Sequence, residues 1–398
     1  MEDFPPGPDL LRLAFLTSLI PVGRPQTGFE IANAAILSAL REAGHDVVAI
    51  GFLRPGEVPD EPEQAVVVAK ADIENAVVPA ARKLRWLIAA FRFGLPVACA
   101  KLRLAGAGSL LEAVAARGPF DALVLNSVLL PGAFPDLMRI APCILVEHNI
   151  EHVSAGQNAA HAANPLLRRL YRREARLLEA LERRLWDEAR FVWTLSEEDR
   201  QVLGAGRQAK SCVLPLVSGR PETAPEDADG RPAFDVGLIG TWTWGPNLIG
   251  LEWFLREVCP LLPADIRIAV AGRVPPELAA PPGVTLVGRV PSAGEFLRSC
   301  RLVALSSRAG TGVQLKTIEA IELGLPAVAT AWSCRGFTAL PANFILADTA
   351  ADFARAVTEA VAAIRAGDRR RLDGAAFMAG QRAALAEGLA RGLAAALA

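Results

Sequence analysis

The chain has 398 residues, of which 52% are hydrophobic and 21% charged, with 42 Lys and Arg against 43 Asp and Glu, a net charge of −1. At roughly 100–200 residues per domain that length favours two domains, and so much apolar side chain argues against disorder. The balanced charge argues against bulk nucleic-acid binding, which needs a large cationic excess, while leaving room for local patches.

The first nine residues, MEDFPPGPD, are acidic and proline-rich and lack the basic start and apolar core of a signal peptide. Short apolar runs then alternate with longer helical stretches. Strands are expected at Leu11–Ser18, Asp46–Phe52, Phe120–Ser127, Pro142–Asn149, Phe191–Ser196 and Lys210–Leu216. Most are near-continuous in Val, Ile, Leu and Ala, as strands of a parallel sheet covered on both faces read. A helix is expected over Gly28–Ala43, ended by Gly44, and two longer helical stretches over Asn75–Arg117 and Pro165–Glu188, the first broken near Gly94 and Pro96. No apolar run reaches the roughly 18 residues of a spanning helix. Leu84–Leu104, the most apolar helical stretch, is cut by Arg85, Arg92, Lys101 and Arg103.

Ser218–Ala233 is rich in Pro, Asp and Gly without a bulky apolar side chain, and reads as a linker in which Glu222, Glu226, Asp227 and Asp229 are solvated. A second series follows, with strands at Phe234–Gly240, Ile266–Gly272, Val284–Gly288, Arg301–Ser307, Pro326–Thr330 and Phe344–Ala347. Helices are expected at Pro246–Val258, Ala293–Ser299, Gln314–Leu323 and Ala350–Ala366. Two βαβ series predict two doubly wound α/β domains facing a cleft, residues 1–217 and 218–373, with an Ala-rich helix near 374–398 packing back onto the first. The six cysteines show no CxxC spacing, Cys143 and Cys212 read as buried small hydrophobes, and with four histidines a His-based metal site is not expected.

The most informative stretch is Ser306–Thr330, SSRAGTGVQLKTIEAIELGLPAVAT, which runs strand, Gly-rich loop, short helix, glycine, strand. Gly310 and Gly312 let backbone approach a ligand closely, and the helix start offers N–H groups to an anion. Arg308 and Lys316 add positive charge. Glu319, three residues after Lys316, shares its helical face, and a carboxylate there can take two ribose hydroxyls. The plainer reading is a turn followed by a surface ion pair.

The stretch resembles the C-terminal signature of family 4 glycosyltransferases of the GT-B fold, in Glu319-Ala320-Ile321-Glu322-Leu323-Gly324-Leu325-Pro326-Ala327-Val328-Ala329. Gly240-Thr241-Trp242-Thr243-Trp244-Gly245-Pro246-Asn247 resembles the Gly-x-x-x-Trp-x-Pro-Asn opening of the second domain in a bacterial subset of that family. Ala271-Gly272-Arg273 and Val287-Gly288-Arg289-Val290-Pro291 match two further strand ends. Val146–Glu151 and Thr194–Asp199 resemble weaker landmarks in the first half.

The resemblance implies a fold of two Rossmann-like domains and transfer of a sugar, with retention, from a nucleoside-diphosphate donor, UDP- or GDP-linked, to a hydroxyl of a glycan or lipid-linked acceptor. It implies an enzyme of the hexosyltransferase type, with no tightly bound cofactor or metal. By position, Glu319 would hold the donor ribose, and Gly310, Thr311 and Gly312, with Arg308 and Lys316, would surround the diphosphate and sugar. Gly240, Asn247 and Arg273 would complete the donor site. His148 would stand at the reacting centre, and Thr27 and Gly28 would form the loop facing the acceptor or phosphate. The chain departs from the family at two places. Thr311 occupies the position of a second carboxylate, and no Arg or Lys lies between Gly240 and Glu252. These departures keep a non-catalytic scaffold open as an alternative, beside a nucleotide-sugar epimerase.

Bland readings stand beside these. His148 could be structural, Arg308 a solvated loop residue, and Trp242 and Trp244 packing aromatics. Two basic amphipathic stretches, Ala81–Leu104 and Pro165–Arg176, are either solvated faces or surfaces for an anionic membrane. The expected location is the cytoplasm, with room for peripheral attachment to the inner face of the cell membrane.

Overall fold

A computed structural model describes residues 10–23, 27–72, 78–106, 108–217, 232–337, 339–368 and 371–398. The first nine residues, Asn75–Val77 of the expected helical stretch, and Ser218–Arg231 of the expected linker with Glu222, Glu226, Asp227 and Asp229 lie outside them. The chain forms two compact units. The first holds the described residues up to Ala159, Asn164–Pro215 and Ala383–Ala398; the second holds Ala160–Ala163 and the described part of Leu216–Arg382.

The first unit runs β1 (Arg12–Thr17), α1 (Gly28–Glu42), β2 (Asp46–Leu53), β3 (Ala65–Lys70), α2 (Ala80–Phe93), α3 (Val97–Gly106), α4 (Ser109–Arg117), β4 (Ala122–Asn126), α5 (Leu129–Ala133), β5 (Cys143–Glu147), α6 (Glu151–His161), α7 (Pro165–Glu188), β6 (Phe191–Thr194), α8 (Glu197–Val202), α9 (Ala205–Gln208) and β7 (Ser211–Val213). Its seven strands are ordered β3-β2-β1-β4-β5-β6-β7, and every pair is parallel. Leu13–Leu16 and Leu123–Leu125 are fully buried, because helices cover both faces of the sheet. The direction of winding reverses between β1 and β4, where Thr17 lies opposite Asn126. At such a point the two following loops part and leave a crevice at the strands' carboxyl ends.

The second unit runs β8 (Phe234–Ile239), α10 (Gly245–Trp253), β9 (Ile268–Ala271), β10 (Val284–Gly288), α11 (Ala293–Arg298), β11 (Cys300–Leu305), α12 (Leu315–Glu322), β12 (Ala327–Ala329), β13 (Phe344–Leu346), α13 (Ala350–Arg365) and the start of α14 (Ala375–Leu397). Its parallel six-stranded sheet is ordered β10-β9-β8-β11-β12-β13, so winding reverses between β8 and β11.

Local chemistry explains the boundaries. Asn164 caps α7, its side-chain oxygen accepting from Leu166 N at 2.8 Å, and Pro165 opens the helix where no N–H is needed. Gly94, in the left-handed conformation, ends α2. The later part of α14 lies on β6 through Gly388 and Gly392. Trp193 Nε1 donates to the Gly388 carbonyl at 3.1 Å, and a Cβ on Gly392 would come within 2.2 Å of the indole nitrogen.

Candidate functional site

In the first unit, the carboxyl ends of β1, β4 and β5 bring polar residues to the reversal point. Thr17 and Asn126 end β1 and β4, and His148 follows β5. His148 Nε2 lies 2.7 Å from Asn126 Oδ1. Asn126 Nδ2 donates to Asn33 Oδ1, and Asn33 Nδ2 donates to Thr17 Oγ1 and to the Leu19 carbonyl, each at 3.0 Å. All of these side chains are buried, and the Phe29 ring lies 4.7 Å from the imidazole. Burial pulls the His148 pKa down to about 3, so the ring is neutral at physiological pH.

Beside it is a cavity of about 160 Å³ lined by Ser18, Phe29, Ser127, Glu147, His148 and Glu151, among others. Ser127 has φ +133, alone among described non-glycine residues in being positive. Such a conformation costs of order 1–3 kcal/mol and gathers at functional sites. Glu147 is fully buried. Trp186 Nε1 donates to its Oε1, while Oε2 has no hydrogen-bond partner among the described residues. Burial, then the neighbouring Glu182 charge, raises Glu147 well above the carboxylate range, and the same two causes raise Glu151 to about 7. Glu182 is itself held by the N–H groups of Glu151 at 2.6 Å and His152 at 3.2 Å.

Thr27 and Gly28 stand at the entry to α1. Thr27 Oγ1 accepts from Glu30 N at 3.3 Å, so its hydroxyl caps the helix, and Glu30, ion-paired with Arg54, already places a carboxylate in the first turn. Their neighbour Phe29 lines the cavity.

In the second unit the Gly-rich segment between β11 and α12 turns through Gly310 at φ +103 and Gly312 at φ +74. The Gly310 carbonyl accepts from Trp332 Nε1 at 3.1 Å and Arg335 Nη1 at 3.3 Å. Buried hydroxyls anchor the loop's base. Ser307 N donates to Ser333 Oγ at 2.9 Å, Thr330 Oγ1 donates to the Ser307 carbonyl at 2.5 Å, and Thr317 Oγ1 donates to the Ser333 carbonyl at 2.7 Å. Thr311 is buried.

The segment after β8 is brought to the same place. A Cβ on Gly310 would meet Pro246 at 3.2 Å and Trp244 at 3.3 Å, a tight contact at a position whose φ of +103 already favours glycine. Gly272, at φ +109, lies against the Gly240 carbonyl, which a Cβ would meet at 1.9 Å. Trp242 is buried and donates to the Ala271 carbonyl at 2.8 Å, and Lys316 Nζ lies 5.5 Å from its ring centroid. Among the described residues no carboxylate pairs with Lys316, and burial pulls its ammonium down to about 8. Glu319 lies on the same short helix, half-buried.

Three expected donor residues make local contacts in the fold. Asn247 Nδ2 donates to the Thr241 carbonyl at 3.2 Å and closes the turn into α10. Arg308 donates to the Asp348 carbonyl at 2.8 Å and stacks 4.6 Å over Trp253. The Arg273 side chain is exposed, while its carbonyl accepts from Trp242 N at 3.1 Å. Sequence reasoning missed Asn33, Asn126, Ser127, Trp332 and Arg335. Asn33 carried one signal, an amide among the Ala, Ile and Leu residues that make up most of the buried face of α1.

Two family profiles match in tandem. One described as a glycosyl transferase 4-like domain covers residues 27–216, and one described as glycosyl transferases group 1 covers residues 233–363. The chain is a glycosyltransferase, with a family 4-like first domain and a group 1 second domain. No curated protein matches the transferase by sequence. Among solved structures it is similar to HepE from Anabaena in complex with UDP and glucose, at TM-score 0.60 and 15% identity over 96% of this chain and 99% of that one. It is also similar to WaaG, a glycosyltransferase involved in lipopolysaccharide biosynthesis (0.56, 16%, 96% of each chain). The pneumococcal O-GlcNAc transferase GtfA in complex with UDP and GlcNAc gives 0.55 and 11% over 98% of this chain and 99% of that one. These likenesses establish the GT-B fold of the transferase.

Proposed function

We propose that the transferase takes a sugar from a nucleoside-diphosphate donor held by its second unit and delivers it to a glycan or lipid-linked hydroxyl, with retention at the anomeric carbon. The observation that carries this reading is Lys316. Lys316, half-buried and without a pairing carboxylate among the described residues, stands over Trp242 at the start of α12, beside two glycines that turn the backbone at φ +103 and +74. Glu319, one helical turn on, accepts the ribose hydroxyls, and the Gly310–Gly312 backbone faces the diphosphate. Fixed charge and aligned N–H groups then stabilise the departing diphosphate. No step is assigned to a loop carboxylate, since Thr311 stands where one would be. UDP in the HepE and GtfA structures favours uridine over guanosine as the donor base.

Calorimetric titration of UDP, GDP and ADP into the wild type and Glu319→Ala tests this site. One nucleotide is expected to bind selectively, and losing the charged hydrogen-bond acceptor should weaken it by about 2 kcal/mol, roughly thirtyfold. Unchanged affinity in the variant would remove Glu319 from the ribose.

The acceptor side suits an anionic membrane surface. Leu84, Ile88 and Phe91 on α2, spaced i, i+4, i+7, are 57%, 58% and 59% exposed, and Arg82, Lys83, Arg85 and Arg92 flank them. Arg173 joins the start of α7 to this helix, donating to the Ala90 carbonyl at 2.9 Å, and there Leu166 and Leu167 are exposed beside Arg169 and Arg172. No helix among the described residues is long and apolar enough to cross a membrane, so an apolar stripe rimmed by cations would serve surface attachment. Sedimentation with phosphatidylglycerol vesicles should carry down the wild type and leave the Leu84→Glu/Ile88→Glu variant in solution. Equal binding to phosphatidylcholine vesicles would sink the idea.

A further inference from the structure

The hydrogen bonds that lead from the loop after β1 to His148 run in one direction only. The Leu19 carbonyl oxygen can accept but never donate. It therefore fixes the amide of Asn33, whose Nδ2 must face it at 3.0 Å. Asn33 Oδ1 is then the atom turned toward Asn126, and it can only accept, so Asn126 presents Nδ2 to it. The opposite orientation of Asn126 would set two carbonyl oxygens against each other. Asn126 Oδ1 is left facing His148 Nε2 at 2.7 Å, and an acceptor at that distance requires hydrogen on Nε2. Thr17 supports the same polarity: its hydroxyl donates to the Leu19 carbonyl at 3.0 Å and accepts from Asn33 Nδ2 at 3.0 Å. Thr17, Asn33 and Asn126 are fully buried, so water does not compete for these bonds.

We infer that the Leu19 carbonyl, acting through Asn33 and Asn126, holds His148 as the neutral imidazole protonated on Nε2, and that both asparagines are positioning residues for sugar transfer. The second half rests on the reading of His148 as part of the transfer site. The Nε2 hydrogen is committed inward, so Nδ1 carries a lone pair, and whatever meets Nδ1 must bring a hydrogen. A sugar hydroxyl does; an ionised phosphate oxygen does not. An imidazole so held can accept from a hydroxyl and supplies neither a proton nor a positive charge.

Nitrogen-15 ring spectra of the full-length protein, labelled at its four histidines, test the relay without substrate. The His148 signal is identified by its loss in His148→Gln. The wild type at pH 7 should show the neutral form with hydrogen on Nε2. Asn33→Leu, whose amide bonds to Asn126 and not to the imidazole, should shift His148 toward a mixture of tautomers, and Asn126→Leu should do so more fully. In transfer assays Asn126→Leu should lower kcat roughly ten- to a hundredfold, as misplacement of a reacting group does, with the donor KM unchanged. A wild-type His148 protonated on Nδ1, or doubly protonated, overturns the relay, whatever becomes of the transfer reading. A wild-type tautomer retained in both asparagine variants overturns it equally, and full kcat in Asn126→Leu overturns the positioning role.

Discussion

Replacing Gly324 with alanine should unfold the second unit. Gly324 is the glycine of the Glu-Ala-x-x-x-Gly-x-Pro stretch, and its work is structural. It follows α12 at φ +63, its N–H donates to the Ile321 carbonyl at 2.9 Å, and the N–H of Leu325 donates to the Ala320 carbonyl at 2.9 Å. These are the paired bonds with which a left-handed residue closes a helix. An alanine pays about 1–2 kcal/mol for that conformation alone. The larger effect is steric: a Cβ would lie 1.6 Å from the Leu372 carbonyl oxygen, and the same strand of chain is tied down by Leu372 N donating to the Gly324 carbonyl at 2.9 Å. Backbone sits on both sides of the overlap, so neither side can rotate away. A loss above about 4 kcal/mol is expected, a large share of what a domain of this size has. Gly367 supplies the control, since it has φ +102 with nothing within 4 Å of a Cβ. Thermal melts followed by circular dichroism should show Gly367→Ala shifted by a few degrees and Gly324→Ala without its second-unit transition. Equal shifts would mean that conformation, not overlap, sets the effect.

Gly324 also shows what a sequence can and cannot reveal. Its place in a recognisable stretch was legible. Its reason was not, because Leu372 lies far along the chain. Strands were legible wherever burial on both faces writes a continuous apolar run, as in β1, β4, β5 and β11, and α7 begins and ends where its proline and its polar pattern place it. The edge strand β3 was missed because its residues are only partly buried and follow a loop rich in Pro and Glu. The single helical stretch expected over Asn75–Arg117 breaks twice, at Gly94–Pro96 and again before Ser109, giving α2, α3 and α4. In the candidate site, His148 and Lys316 were legible from their motif positions. The partners that define their chemistry were not. Asn33, Asn126 and Leu19 come together only when α1, β4 and the loop after β1 converge on the reversal point. Arg308 has contacts its motif position does not reveal: its exposed side chain beside the Gly-rich loop donates to the Asp348 carbonyl and lies over the Trp253 ring.

Nucleotide affinity and folding stability should respond to alkaline pH with opposite signs, and both through Lys316. Burial lowers its ammonium to about 8, from an ordinary lysine value near 10.4. Between these values the unfolded chain binds a proton that the folded, empty protein does not, so this group makes stability rise with pH across about 8 to 10.4, by about 3 kcal/mol at most. The diphosphate reverses the preference. The last phosphate proton leaves near pH 6, so from there until the uracil ring itself ionises in alkali the ligand's charge is constant and favours a charged Lys316. Binding UDP above pH 8 therefore means taking up a proton, and affinity should fall by up to about tenfold per pH unit from 8 upward. Calorimetry in two buffers of different ionisation enthalpy should register that uptake at pH 8.5 and little of it at pH 7. Lys316→Met should bind UDP weakly at pH 7, lose the pH dependence, and melt higher than the wild type at neutral pH because an uncompensated buried charge is gone. A wild-type affinity flat from pH 7 to 8.5, with Lys316→Met binding as tightly, would take Lys316 away from the diphosphate. The melting difference would then remain as a property of the empty fold. If both effects appear, the instability of the empty site is the same feature that makes it select an anionic diphosphate.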